Sequence, residues 1–229
     1  MAEKISFKSP KFYFVYFIIF SIIILIIFSI IITRYYWDYW SQVRLMEKYY
    51  KGRLQEFTQV FPVINQYDPI KGSAAAKVTI YEYSDFLCPS CLSIQNDLKS
   101  LEKLYGSDLN FVFKGLPLVV ATESRPALLA AYCANEQSKF WEYYDLLFQN
   151  TASLNQQEYL ELANKLGLNM EQFTKCQSDN RYEQILDRNL TDSMSLQITS
   201  IPTLYINKEK VEGYFNYDNL KKIIDQQMR

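Results

Sequence analysis

The chain has 229 residues, with 24 Lys and Arg against 25 Asp and Glu, four Cys and no His. Without imidazole there is no Ser-His-Asp or Cys-His catalytic arrangement, no His-ligated zinc and no His-bound haem, so any chemistry rests on thiols, carboxylates, hydroxyls or a cofactor. A net charge of −1 gives no basic footprint for nucleic acid, and the 49% hydrophobic content is concentrated partly at the front of the chain, as in one globular domain with a segment attached before it.

Residues 1–11 carry Lys4, Lys8 and Lys11. From Phe12 to Ile32 only Ser21 and Ser29 fall outside the apolar set, and no charge occurs. Those 21 residues make ~31 Å of helix at ~1.5 Å per residue, the thickness of a ~30 Å hydrocarbon core. A cleaved signal peptide has an apolar stretch of only ~7–15 residues and a small-residue cleavage site. Here the run is longer, no Ala-x-Ala-like site follows, and the chain enters Arg34-Tyr35-Tyr36-Trp37-Asp38-Tyr39-Trp40, an aromatic belt suited to a membrane–water interface. No Cys precedes Cys88, which argues against a lipid-modified N-terminus. The expectation is an uncleaved transmembrane anchor over residues 12–33. Its orientation is not set by charge: Arg34, Arg44, Lys48, Lys51 and Arg53 after the span balance the lysines before it.

Residues 34–66 are expected to form a juxtamembrane helix and linker. Val43, Met46, Tyr50, Leu54 and Phe57 recur at spacings of three and four with charged residues between them. Such a stripe fits packing on the chain's own domain, self-association, or rest on a lipid surface. A linker at about 58–76 holds Pro62, Pro69 and Gly72. The globular part, residues 67–229, opens with a β-branched and aromatic strand, Lys77 to Ser84. Cys88-Pro89-Ser90-Cys91 follows, then a helical stretch to about Tyr105 and a second strand from Leu109 to Phe113. From about Ser124 to Gln197 the period is helical almost throughout, with breaks near 150–155 and 167–169. A strand at Thr203–Ile206, a turn at Asn207-Lys208, a hairpin partner near Val211 and a closing helix from Asn216 to Met228 complete the chain. The order β-α-β, helices, β-β-α predicts an α/β domain with a helical insertion at about 120–197.

The chemistry gathers at Cys88 and Cys91. The pair follows a buried-type strand and opens a helix, with Pro89 where the first turn tolerates a missing N–H. A thiol at a helix start meets free N–H groups that favour the thiolate. One exposed, acidic sulfur and a second three residues on, tucked under the first turn, form a minimal device for thiol–disulfide exchange, with Cys88 as attacking and attacked sulfur and Cys91 as resolving sulfur. An inert disulfide, or half of a zinc site completed by Cys133 and Cys176, is the alternative; those two are isolated and far apart in sequence.

Three segments resemble one family in the right order. Glu82-Tyr83-Ser84-Asp85-Phe86-Leu87-Cys88-Pro89-Ser90-Cys91 is similar to the active-site segment of DsbA-type thiol:disulfide oxidoreductases, residues 133–148 to their inserted helical stretch, and Ile201-Pro202-Thr203-Leu204-Tyr205-Ile206-Asn207 to their cis-proline strand. The resemblance spans about Asp68 to Met228. It implies a thioredoxin fold with an inserted helical domain, preceded by the transmembrane helix, in a bacterial cytoplasmic membrane with the catalytic domain on the extracytoplasmic side. The substrates it implies are exported proteins with free thiols, with recycling by a quinone-linked membrane partner and no cofactor or metal beyond the redox disulfide. It also implies that Pro202 is cis and faces the cysteines, that the Ile201 backbone, Pro89 and Ser90 contact substrate, and that Glu82, inward-facing with Val78 and Ile80, accepts the Cys91 proton. In the oxidising compartment so implied, Cys133 and Cys176 are expected to pair as a structural disulfide. Asp85 and Phe86 also match, with packing or turn formation as their plainest use.

The sequence departs from the strongly oxidising members at Ser90, where they carry His. Ser supplies a hydrogen bond and no charge, so the Cys88 pKa and the potential are expected between the DsbA and thioredoxin extremes, ~3.5 to ~7 and ~−120 to ~−270 mV. The motif alone does not fix the direction of exchange; the expected function is oxidation of thiols of exported proteins through a Cys88–Cys91 redox disulfide, with a reductase or isomerase of the same fold, or a tethered binding factor without turnover, as the alternatives.

Overall fold

The structure is a computed structural model describing residues 10–54, 61–73, 75–118, 120–212 and 215–229. The chain divides into two compact units, Met1–Thr58 and Gln59–Arg229.

In the first unit, one helix, α1, runs from Pro10 to Leu54. The expected span and the expected juxtamembrane helix are thus continuous: no Pro or Gly interrupts residues 11–51, and the aromatic belt is compatible with helix. Phe57 and the basic residues Lys4 and Lys8 lie outside the described residues. The stretch Phe17–Ser41 has a mean hydropathy of 2.8 and is long and apolar enough to cross a membrane. Its Ile, Leu and Phe side chains are exposed on every face, the pattern of a helix whose apolar surroundings are not its own chain. Thr33 gives its hydroxyl proton to the Ser29 carbonyl at 2.6 Å, so a polar group in the span is satisfied within the helix.

The second unit is built on a five-stranded sheet of β1 (Ile70–Lys71), β2 (Val78–Ser84), β3 (Leu109–Gly115), β4 (Thr203–Ile206) and β5 (Glu209–Glu212), lying side by side in the order β1-β3-β2-β4-β5. β2 (Val78–Ser84) is the central strand and lies parallel to β3 (Leu109–Gly115), with Val78 opposite Leu109 and Ser84 opposite Gly115. A parallel pair needs a crossover, supplied by α2 (Pro89–Ser93) and α3 (Gln95–Tyr105). β4 (Thr203–Ile206) pairs antiparallel with β2, β5 (Glu209–Glu212) with β4, and α9 (Tyr217–Gln227) closes the domain. Val78 and Ile80 of β2 pack against Leu98, Leu101, Leu220 and Ile224 of α3 and α9, so strand alternation points one face of β2 at α3.

The strand β1 (Ile70–Lys71), antiparallel to β3, was not read from the sequence, which placed a linker there. The segment is fastened from below. Lys114, next to the last residue of β3 and fully buried, binds Asp68 at 2.5 Å and donates to the Val63 carbonyl at 2.8 Å.

The insertion holds α4 (Ser124–Asn135), α5 (Phe140–Gln149), α6 (Gln156–Lys165), α7 (Met170–Ser178) and α8 (Glu183–Ser195). Asn155 caps α6 and Asn169 caps α7 by accepting from backbone N–H groups, at the two breaks the periodicity gives. Two further breaks, 136–139 and 179–182, turn on Ser138 and Asn180 with positive φ, residues whose helical period alone carries no stop signal. A disulfide joins Cys133 of α4 to Cys176 of α7.

Candidate active site

Cys88 leaves the central strand and caps α2: its backbone is extended and its Sγ accepts from the Cys91 N–H at 3.2 Å. Pro89 occupies the first turn of that helix. Both sulfurs are free thiols; Cys88, expected to be exposed, is only 4% exposed, because Ser90 and the Ile201 carbonyl lie against it, and Cys91 is fully buried. The Ser90 hydroxyl lies 3.1 Å from Cys88 Sγ and 3.3 Å from the Ile201 carbonyl, and Sγ itself lies 3.8 Å from that carbonyl. Ser90 has one proton to give. It can go to the sulfur when Cys88 is a thiolate, and to Ile201 when the Cys88 proton is present.

The Ile201–Pro202 bond is cis. It brings the Ile201 carbonyl to the cysteines just before β4 begins, and Thr203 Oγ1 ties the turn by donating to the Ser200 carbonyl at 2.7 Å.

The two sulfurs are driven apart in acidity. The side chain of Cys91, hydrogen-bonding to Cys88, does most to pull the Cys88 thiol down to about 6; Ser90 and the Cys91 N–H act the same way, against burial and the Asp85 carboxyl. Burial, with the bond to Cys88, pushes the Cys91 thiol far up. The value for Cys88 falls inside the interval expected from Ser90. These opposite shifts favour the thiolate at Cys88 and the thiol at Cys91.

Glu82 lies on the α3-facing side of β2 with Val78 and Ile80 and is 2% exposed. Its carboxyl meets the Gln95 amide at 3.1 Å and the Tyr144 hydroxyl at 2.7 Å. Burial, the largest influence, raises it above the usual carboxylate range. Gln95 and Tyr144 were missed in the sequence. Gln95 sits one helical turn beyond Cys91, a signal available from i,i+4 spacing; Tyr144 comes from the insertion and has no local signature.

Asp85 is fully buried and accepts from the Leu87 N–H at 2.7 Å, from the Leu118 N–H and from the Ser124 hydroxyl. It ties the active-site loop to the 116–118 loop and the start of α4. Phe86 stacks on Phe113, centroids 5.5 Å apart, and packs edge-on to Tyr144 and Phe148. Cys133 and Cys176, bonded to each other, do not join this site. Among the described residues no cluster of three or more metal-ligating side chains occurs.

The family model described as thioredoxin matches residues 65–226, more than two thirds of the chain. A thioredoxin-like oxidoreductase from Silicibacter pomeroyi DSS-3 superposes with a TM-score of 0.64 at 20% identity, covering 72% of this chain and 94% of that one. The thiol-disulfide exchange protein alpha-DsbA2 from Wolbachia pipientis gives 0.66 at 18% identity, covering 80% and 97%. Among curated proteins, the Na(+)/H(+) antiporter NhaA 3 of Salinispora tropica is 29% identical over 164 residues, 71% of this chain and 25% of that protein. The chain spans about a quarter of the length of the curated relatives it matches.

Proposed function

The chain belongs to the thioredoxin family, and from that premise we propose that it is a membrane-anchored thiol:disulfide oxidoreductase that oxidises thiols of exported proteins. The observation that carries the reading is the split pair: Cys88 at about 6 against the cis Ile201–Pro202 turn, with Cys91 buried and protonated behind it. A substrate thiolate attacks Cys88 of the Cys88–Cys91 disulfide, Cys91 leaves, and a second substrate thiol releases the product disulfide from Cys88. A leaving sulfur with a low pKa leaves faster, which favours release from Cys88. Pro89, Ser90 and the Ile201 backbone frame the groove in which an extended substrate segment rests.

The apolar helix α1 holds the domain at the outer face of the bacterial cytoplasmic membrane, with residues 1–11 inside. Disulfide chemistry fits that side, because cytosolic thiols are kept reduced. The reduced enzyme returns to the disulfide through a quinone-linked membrane partner, and the redox disulfide is its only redox group.

Cys91→Ala with Cys88 intact should trap mixed disulfides with exported proteins in cells; their absence would remove turnover on protein thiols. The wild-type pair should be mostly disulfide in cells, and a mostly dithiol pair would reverse the direction to reduction or isomerisation. Oxidation of a reduced test protein no faster than by Cys88→Ala would leave a tethered binding factor.

A further inference from the structure

Val78 and Ile80 of β2 pack toward α3 and α9, so strand alternation puts Thr79 and Tyr81 on the other face of the sheet. There, at the end of β2 opposite the cysteines, they line a surface cavity of about 690 Å³, within the ~300–1,000 Å³ of small-molecule sites. The residue before β2 supplies Lys77, the β4–β5 turn supplies Lys208, and the 61–64 segment supplies Phe61, Val63 and Ile64. The cysteines follow Ser84, so roughly 20 Å of strand separates the two sites. Thiol–disulfide exchange makes no use of this cavity.

Its lining offers donors without a charge to meet them. Lys77 and Lys208 are exposed, and among the described residues neither ammonium enters an ion pair or gives a hydrogen bond. Lys208 Nζ stands 4.6 Å from the centre of the Phe61 ring. The Thr79 and Tyr81 hydroxyls have no hydrogen-bond partner there either. No carboxylate lines the cavity. Glu209, next to Lys208, takes the Gln227 amide at 3.2 Å, and Asp68, whose charge reaches Tyr81, is paired with Lys114. Val63 and Ile64 add aliphatic surface, 44% and 46% exposed. Basic donors flanked by exposed aliphatic side chains suit an anionic headgroup joined to an acyl chain. A free phosphate would use the lysines and leave the aliphatic pair in water.

We propose that this cavity binds an anionic phospholipid of the membrane in which α1 is anchored, with its phosphate held by Lys77 and Lys208 and its glycerol and first methylenes against Phe61, Val63 and Ile64. The proposal rests on the anchoring in the reading above and on none of its redox chemistry. At full extension the chain from Ser41 through the end of α1 to Phe61 spans ~45 Å, so the tether keeps the cavity at high local concentration toward the bilayer. Engaged there, the domain presents the far end of β2, with Cys88 and Cys91, away from the lipid and open to protein substrates.

Hydrogen exchange of the full chain in lipid nanodiscs tests the site. In nanodiscs of phosphatidylglycerol and phosphatidylcholine in equal parts, the amides of residues 63–67 and 207–209 should exchange more slowly than in phosphatidylcholine alone. Equal exchange in the two bilayers would overturn the proposal. Lys77→Ser with Lys208→Ser should weaken the association read from this protection about 30-fold, at about 5-fold for each lysine near an anionic surface; an unchanged association would overturn the headgroup assignment. Val63→Ser with Ile64→Ser should abolish the part of the protection that survives high salt, since only the charge contacts are screened. All four substitutions are at exposed side chains, and unchanged alkylation of Cys88 checks that the variants fold. Inorganic phosphate added to the phosphatidylcholine nanodiscs should protect nothing; protection equal to that from phosphatidylglycerol would assign the cavity to a soluble anion and overturn the lipid. Retention of the chain in neutral nanodiscs reads the anchor, and a chain not retained loses the anchor and this site together. Retention without lipid-dependent protection removes the site alone, whereas protection without Cys88-dependent exchange with a small thiol removes the redox reading alone.

Discussion

Cys88 is made acidic without a neighbouring cation. Helix α2 has only five residues, so its contribution is a local N–H aimed at the sulfur rather than a long dipole, and the bonds from Cys91 and Ser90 complete the work. Ser90→Ala should therefore raise the Cys88 pKa above about 6, toward the ~8.5 of a free thiol, and Ser90→His should lower it and raise the potential. The pH dependence of alkylation at Cys88 reads both. The depressed pKa also links stability to pH. In the dithiol form the thiolate stabilises the fold above the unfolded value of ~8.5, and that contribution is lost as pH falls through about 6. Urea midpoints of the dithiol protein should fall between pH 8 and pH 5 relative to those of the disulfide protein, which has no such thiol. A parallel pH response in both forms would show that Cys88 is not the responsible group.

Two elements are held by links that their own sequence does not announce. The 61–71 segment, expected as linker, is secured by β1 and by the fully buried Lys114–Asp68 pair. Removing one partner of a buried pair leaves an uncompensated charge, so Asp68→Ala should cost about 3–5 kcal/mol, while Asp68→Leu with Lys114→Met should recover most of it. Chemical denaturation would show this, and equal losses in single and double variants would mean that packing, not charge, is at stake. In the insertion, the Cys133–Cys176 bond closes a loop with a sequence separation of 43, worth roughly 4 kcal/mol in the chain-entropy model. Replacing both by Ala should lower stability by about that amount with Cys88 reactivity unchanged.

At the scale of the whole molecule, α1 is 45 residues long, ~68 Å at ~1.5 Å per residue, against a ~30 Å hydrocarbon core. Lys placed at Ile23 and Ile26 costs ~2.5–3.5 kcal/mol each at a span centre. The double variant should release the chain from membranes at alkaline pH while the wild type is retained at full mass; a wild type shortened by the length of the span would reveal a cleaved leader instead. The apolar run, the Cys-x-x-Cys after a strand and the β-α-β, helices, β-β-α order were all legible in the sequence, because each is a local pattern of residue type and spacing. The burial of Lys114, the two extra breaks in the insertion, and the meeting of Glu82, Gln95, Tyr144 and the Cys91 carbonyl were not. Sequence by itself set apart Cys88 and Cys91 as the sulfurs placed for exchange chemistry; only the tertiary structure brought Glu82, Gln95, Tyr144 and the Cys91 carbonyl into one buried cluster behind them. Those groups come from four separate elements, β2, α2, α3 and α5, so their meeting is a matter of distance in space rather than spacing along the chain, and it exists only once the chain has folded.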